Sequence, residues 1–94
     1  MKEVLWAQKE ILCEKKNVLK AEYYLLIDEI PVGTQICFEH YGVKLRTIGP
    51  KTLESVSVPH LSPTAQNIKA LMNLLSQNSV TPSTLQDVLS CWNV

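Results

Sequence analysis

Excess charge is the first thing this chain lacks: nine lysines and arginines balance nine aspartates and glutamates. A neutral chain has no general pull on nucleic acid or anionic lipid, and little self-repulsion holds its copies apart. Long apolar runs are also missing. The longest, Tyr23 to Ile27, is far below membrane-spanning length. The opening stretch "MKEVLWAQKEILCEKK" is interrupted by charge every few residues and has no apolar core of a signal peptide. Cysteine is scarce, odd in number and widely spaced: Cys13, Cys37 and Cys91. That excludes the dense, even framework of a disulfide-stapled secreted domain and predicts free thiols in the cytoplasm. Repeats and low-complexity tracts are absent.

What is present fits one small domain over residues 1–94, with a change of texture near residue 60. Before it, charges and β-formers interleave; after it, the spacing turns helical and charge nearly vanishes. Residues 3–13 alternate like a strand, although Val4, Ala7 and Ile11 also fit one helix face; strand is preferred. A polar turn follows at residues 14–17. Val18 to Ile30 is the clearest strand, with Tyr23, Leu25 and Ile27 on one face and Tyr24, Leu26 and Asp28 on the other. Pro31 and Gly33 mark a turn. Thr34 to Ile48 reads as a second long strand in which Gly42 predicts a bulge, a bend or a break. Thr52 to Val58 is an edge or final strand.

Ser62 as cap and Pro63 at the first position predict a helix with a stripe of Ala65, Ile68, Met72 and Leu75, ending where Asn78 turns left-handed. Thr81 and Pro82 repeat the start signal for a helix carrying Leu85, Val88, Leu89 and Trp92. The predicted fold class is α+β: a small antiparallel sheet of three to five strands (residues 1–60), then two C-terminal helices packed on one face (residues 61–94).

Catalytic and metal motifs do not emerge. Cys37 and His40 make a C-x-x-H, but residues three apart on a strand face opposite ways and no second closely spaced pair follows. Ser55, Ser57, His40, His60, Asp28 and Asp87 supply the types for a nucleophile, base and orienting group without any motif that gathers them. No enzyme activity, no metal and no cofactor is expected. Glu22, Asp28, Glu29, Glu39 and Glu54 read as solvated strand residues. Two short helices resemble a helix-turn-helix in outline, yet the second has Gln86 and no cation, which argues against nucleic acid as a partner.

The anomaly is the helical third. From Ser62 to Val94 the only charged side chains are Lys69 and Asp87. Depletion of charge distinguishes interface cores from other surface. The expectation is a non-enzymatic protein-interaction module, with Leu74, Leu89, Trp92, Tyr41 and Trp6 as partner-binding residues and a homodimer as the oligomer. The alternative is a homo-oligomer that binds a small molecule or nucleotide derivative, with Tyr23, Tyr24, Tyr41 and Arg46 lining a cleft at the dimer seam. A weak nucleic-acid binder, with Lys44 and Arg46 as a basic patch, is a further alternative.

"YYLLIDEI", then "YGVKL", then a serine-started helix and "VTPSTLQDVL" together resemble a family of short, uncharacterised Firmicutes proteins, a domain of unknown function. The matching positions are Tyr23 and Tyr24; Tyr41, Gly42 and Val43; and Thr81, Pro82, Leu85, Asp87 and Val88. The resemblance covers about three quarters of the chain. It implies a bacterial or phage origin and transfers no catalytic residue. One version of the interaction reading is therefore a mobile-element or phage inhibitor or adaptor that acts by occlusion. This chain ends "LSCWNV" where the family continues with acidic residues, so the resemblance does not extend an acidic tail to it.

Overall fold

The computed structural model describes residues 2–12, 18–33, 36–50 and 52–92. Four strands, β1 (Lys2–Leu12), β2 (Val18–Val32), β3 (Ile36–Ile48) and β4 (Leu53–Ser62), precede two helices, α1 (Ala65–Gln77) and α2 (Leu85–Cys91). The strands form one antiparallel meander in the order β1-β2-β3-β4, with β1 and β4 as edges. Both helices lie on one face, so the fold is α+β. Residues 3–12 are strand; Cys13 and the predicted turn at residues 14–17 lie outside the described residues.

The sheet's two faces follow from alternation along β2. Ala21, Tyr23 and Leu25, with Val43 and Leu45 of β3, point to the helices and are buried. Ile68, Leu71, Met72 and Leu75 of α1 and Leu85 of α2 close the core from the other side. The Tyr23 hydroxyl donates to the Val80 carbonyl at 2.9 Å, so a core phenol ties β2 to the link between the helices. Burial pushes its pKa up. Edge strand β1 is stapled to α1 twice. Trp6 Nε1 donates to Asn73 Oδ1 at 3.3 Å, and Lys9 Nζ donates to the Ser76 carbonyl at 2.9 Å. That lysine meets the carbonyl end of the helix, where a cation is favoured.

Three boundaries differ from the sequence expectation. Strand β4 runs on through Pro59 to Ser62 instead of stopping at Val58. Helix α1 starts at Ala65, with Thr64 in the cap position; the Ser62 hydroxyl accepts from the Thr64 amide at 3.1 Å, which makes a turn before the helix rather than a cap on it. Helix α2 starts at Leu85, because Thr81 and Thr84 bond to each other and hold residues 81–84 as a separate turn. The left-handed residue after α1 is Ser79 (φ 52°), while Asn78 stays at φ −98° and its amide donates to the Leu74 carbonyl.

The longest dimension is set by the β2–β3 hairpin. Lys2 pairs with Ile27 and Ser62 pairs with Tyr41. Beyond these, among the described residues, the hairpin pairs with neither edge strand and continues as a two-stranded ribbon. The extents are 55 × 25 × 17 Å.

Candidate functional site

Two surfaces concentrate chemistry. The first lies on the outside of the helical layer. Leu74 of α1 and Asp87, Val88, Cys91 and Trp92 line an open, apolar groove of about 440 Å³. Leu74 is exposed there, and Cys91 is a free, exposed thiol. The groove forms because α2 is short: about two turns of helix seat Leu85 in the core and leave Val88 and Trp92 half-buried at the seam.

The second is the open face of the sheet. It is not the plain polar face expected of a solvated sheet. Among the described residues seven large apolar side chains are exposed, and five of them, Leu5, Leu12, Val18, Phe38 and Leu53, fall on this face by their register. Between them run paired charges. Lys44 Nζ sits 3.1 Å from Glu3 Oε1 and over the Tyr24 ring at 5.6 Å. Arg46 meets Glu22 at 2.6 Å, with the Glu22 side chain 7% exposed. The carboxylate beside it raises the Arg46 pKa, chiefly by hydrogen bonding.

At the ribbon's base three strands bring Asp28, His40 and His60 together. Asp28 and His40 are direct register partners. His60 reaches them because β4 bulges: Tyr41 pairs with Ser62 and Val43 with Val58, so three residues of β4 oppose one of β3. That one residue is Gly42. A Cβ there would lie 2.3 Å from the Val58 carbonyl and 2.6 Å from Pro59 Cα, so only glycine lets the strand cross. His60 takes φ 59° at the crossing and its Nε2 meets Asp28 Oδ2 at 2.5 Å. The His40 and His60 rings stand edge to face, 5.6 Å apart, and His40 Nδ1 is buried with no hydrogen-bond partner among the described residues. Among those residues no group of three or more His, Cys, Asp or Glu surrounds a point that would hold a metal ion. The side chain of Cys37 lies outside what is described.

The hydrogen bond from His60 holds the Asp28 carboxyl below its usual range. Its contribution to stability is complete above the ordinary aspartate range near ~3.9 and is lost as pH falls through the depressed value. Replacing His60 with glycine, which accepts φ 59° without strain, is expected to return Asp28 toward the ordinary range. Carboxyl carbon NMR titration reads this directly, and an unchanged midpoint counts against the coupling.

The sequence-derived residues fall as follows. Leu74 and Trp92 meet in the groove; Leu89 packs half-buried against the core beside it. Tyr41 and Trp6 lie away from the groove, also half-buried against the core. Burial, then Glu39, pushes the Tyr41 pKa up. Tyr24 and Arg46 are on the open face, while Tyr23 and Tyr41 are on the helix face, so no single cleft of one chain gathers the four. Lys44 and Arg46 share a face as expected, but each is held by a glutamate that a phosphate would have to displace. The open-face apolar residues and the Asp28–His60 pair escaped sequence reasoning. Gly42 followed by "VPH" was the signal: a mid-strand glycine marks a close approach, and Pro59-His60 is the segment that approaches.

A sheet of four strands backed by two short helices, with two uncovered surfaces, describes a class of small α+β domain. Within that class the chain belongs to a family of unknown function, DUF6514, which it matches over residues 2–92. Neither curated proteins nor solved structures gave a match. No helix among the described residues is long and apolar enough to cross a membrane.

Proposed function

We propose that this protein is a non-enzymatic interaction module that receives an apolar segment of a protein partner in the groove between α1 and α2. The observation that supports this reading most is the groove itself: Leu74, Val88, Cys91 and Trp92 line it with Asp87 as its one charge. It lies on a helical layer whose only other charge is Lys69. Apolar, charge-depleted surface with an aromatic at its centre is how the energetic core of an interface is built. Occlusion of a partner's surface, as an inhibitor or adaptor of cytoplasmic or mobile-element origin would do, requires nothing more of the chain.

The full-length tagged chain is expected to capture one stoichiometric protein from its host lysate at physiological salt. Leu74→Asp and Trp92→Ala are each expected to weaken that complex at least tenfold while the fold persists, since truncating a central anchor costs about 2 kcal/mol or more. Capture that is unchanged in both variants would place the interface elsewhere, and no captured protein at all would remove the reading.

A further inference from the structure

We infer that the outer edge of β4 pairs with itself. Residues 53–58 of two copies align antiparallel about a two-fold axis at Val56 and join the two four-stranded sheets edge to edge. This surface is distinct from the helical groove, and the inference stands independently of the function proposed above.

Backbone phase supplies the first argument. The Gly49 amide donates to the Thr52 carbonyl at 2.8 Å, which makes that pair the first hydrogen-bonded rung of the β3–β4 hairpin. Bonded and unbonded rungs alternate along an antiparallel ladder. The pairing runs unbroken from Ile48↔Leu53 to Val43↔Val58. Over it Glu54, Val56 and Val58 bond inward to β3, while Leu53, Ser55 and Ser57 turn their amides and carbonyls to the outer edge. Strand β4 has no neighbour on that side, and among the described residues no turn or cap bond reaches those groups.

Composition supplies the second. Sheets that stay alone blunt their edges with charge and bulges. Strand β1, the other edge, carries Lys2, Glu3, Lys9 and Glu10, slips register at Trp6 and is tied to α1 through Trp6 and Lys9. Residues 53–58 of β4 carry one charge, Glu54, and alternate serine with valine. The run stops at Pro59, which has no amide to offer, and at His60, whose φ of 59° turns the chain. A straight, nearly uncharged row of free donors and acceptors is a template for another strand.

Register fits a second copy to that row. Outward residues must face outward residues, and a two-fold axis allows this with either Ser55 or Val56 at the centre. The Val56 centre sets Ser55 of each copy against Ser57 of the other. Each such pair exchanges two main-chain hydrogen bonds, and its hydroxyls meet on the open face. Val56 meets its own image at the close, non-hydrogen-bonded position, with Cα atoms about 4.5 Å apart. There it completes the burial of a side chain that one chain leaves half-buried against the core. Glu54 faces Val58 and stands four residues along the strand from its own image, or about 13 Å, beyond the screening length at physiological salt. A centre at Ser55 would halve that separation, so charge selects Val56.

The test is the mass in solution of the untagged full-length chain, by light scattering and sedimentation velocity up to roughly 100 µM, well above a micromolar dissociation constant. The expected mass is twice 10.6 kDa. Ser55→Pro is expected to give a folded monomer, because that amide is unused within one chain and an edge strand tolerates proline. A Ser55→Glu, Ser57→Glu double variant keeps every amide. Its added carboxylates lie across from Arg46 and Lys44 within the chain but against each other between copies, so it too is expected to be a folded monomer. Val56→Cys is expected to cross-link to its own image under mild oxidation, identified by peptide mass, and Glu54→Cys is not; the reverse result overturns the register. Leu74→Asp is expected to remain dimeric. A monomeric wild type overturns the inference, even where the edge then accepts a strand of another protein. So does a dimer that survives both the proline and the double glutamate variants, and a dimer lost only in Leu74→Asp moves the seam to the helices.

Discussion

Gly42→Ala is expected to be among the most damaging single substitutions in the sheet. The added Cβ would lie 2.3 Å from the Val58 carbonyl oxygen and 2.6 Å from Pro59 Cα, both backbone atoms of the crossing strand. A flexible side chain could swing aside; a strand held by its ladder on both sides of the bulge cannot. The crossing must lift, and the loss is about 3 kcal/mol, against a total of roughly 5–14 kcal/mol for a chain of this length. Thermal unfolding should shift down by about 15 °C. The change also carries a local signature. Lifting β4 withdraws His60 from Asp28, so the Asp28 carboxyl should move toward its ordinary range in the same variant. An unchanged melting temperature would mean that β4 does not cross at Gly42.

Leu85→Ala is expected to detach the last helix while leaving the sheet folded. Helix α2 has seven residues, too few to persist without packing. Of these only Leu85 is fully buried, at 0% exposure; Val88 and Leu89 are half-buried. Truncating a leucine in such a site costs about 3 kcal/mol. The loss falls mainly on the element that depends on it, since α1 keeps four buried side chains of its own. Hydrogen exchange should therefore accelerate across residues 81–92, and Trp92 fluorescence should shift toward that of a solvated indole. The amides of β2 and β3 should remain protected. Uniform loss of protection would show that α2 belongs to one cooperative unit with the sheet. Because Val88 and Trp92 form one wall of the helical groove, this variant should also lose any partner that Leu74→Asp loses.

These two sites differ in how far the sequence announced them. The Leu85, Val88, Leu89 and Trp92 spacing predicted both the helix and its buried side, because a 3.6-residue period is a property of the helix alone. Its start lies three residues later than that signal places it. Thr81 and Pro82 are a sound start signal by composition, but Thr84 offers a second hydroxyl, and the mutual bonds of the two threonines hold the intervening residues in a turn. The same happened at Ser62, whose hydroxyl serves Thr64. Local rules name the residues able to satisfy free amides; which amide each one satisfies depends on where the preceding strand delivers the chain.

The faces of β2 were legible for the same reason that α2 was. Tyr23, Leu25 and Ile27 alternate with Tyr24, Leu26 and Asp28 whatever the strand pairs with. The alternative ligand cleft sets Tyr23, Tyr24, Tyr41 and Arg46 at a dimer seam; within one chain the sheet places Tyr24 and Arg46 on one side and Tyr23 and Tyr41 on the other. What alternation does not reveal is which of two apolar-rich faces the helices will cover. Charge depletion marks the helical layer, and the apolar groove lies there. The larger store of uncovered apolar side chains is on the open sheet face, distributed over four strands so that no stretch of sequence displays it.

By itself, then, the sequence determined the α+β class, the order of elements, the two faces of the central strand, the core stripe of each helix and the charge-poor helical surface. All of these are periodic or compositional, and neighbours along the chain suffice to produce them. Only the tertiary structure decided that Pro59 crosses over Gly42, that His60 reaches Asp28 and that Glu22 is buried beside Arg46. It also decided that Phe38 and Leu53 stand exposed on the same face. Each joins residues fifteen or more positions apart in the sequence, and such contacts are set by strand register and bulge geometry, which local propensity does not encode.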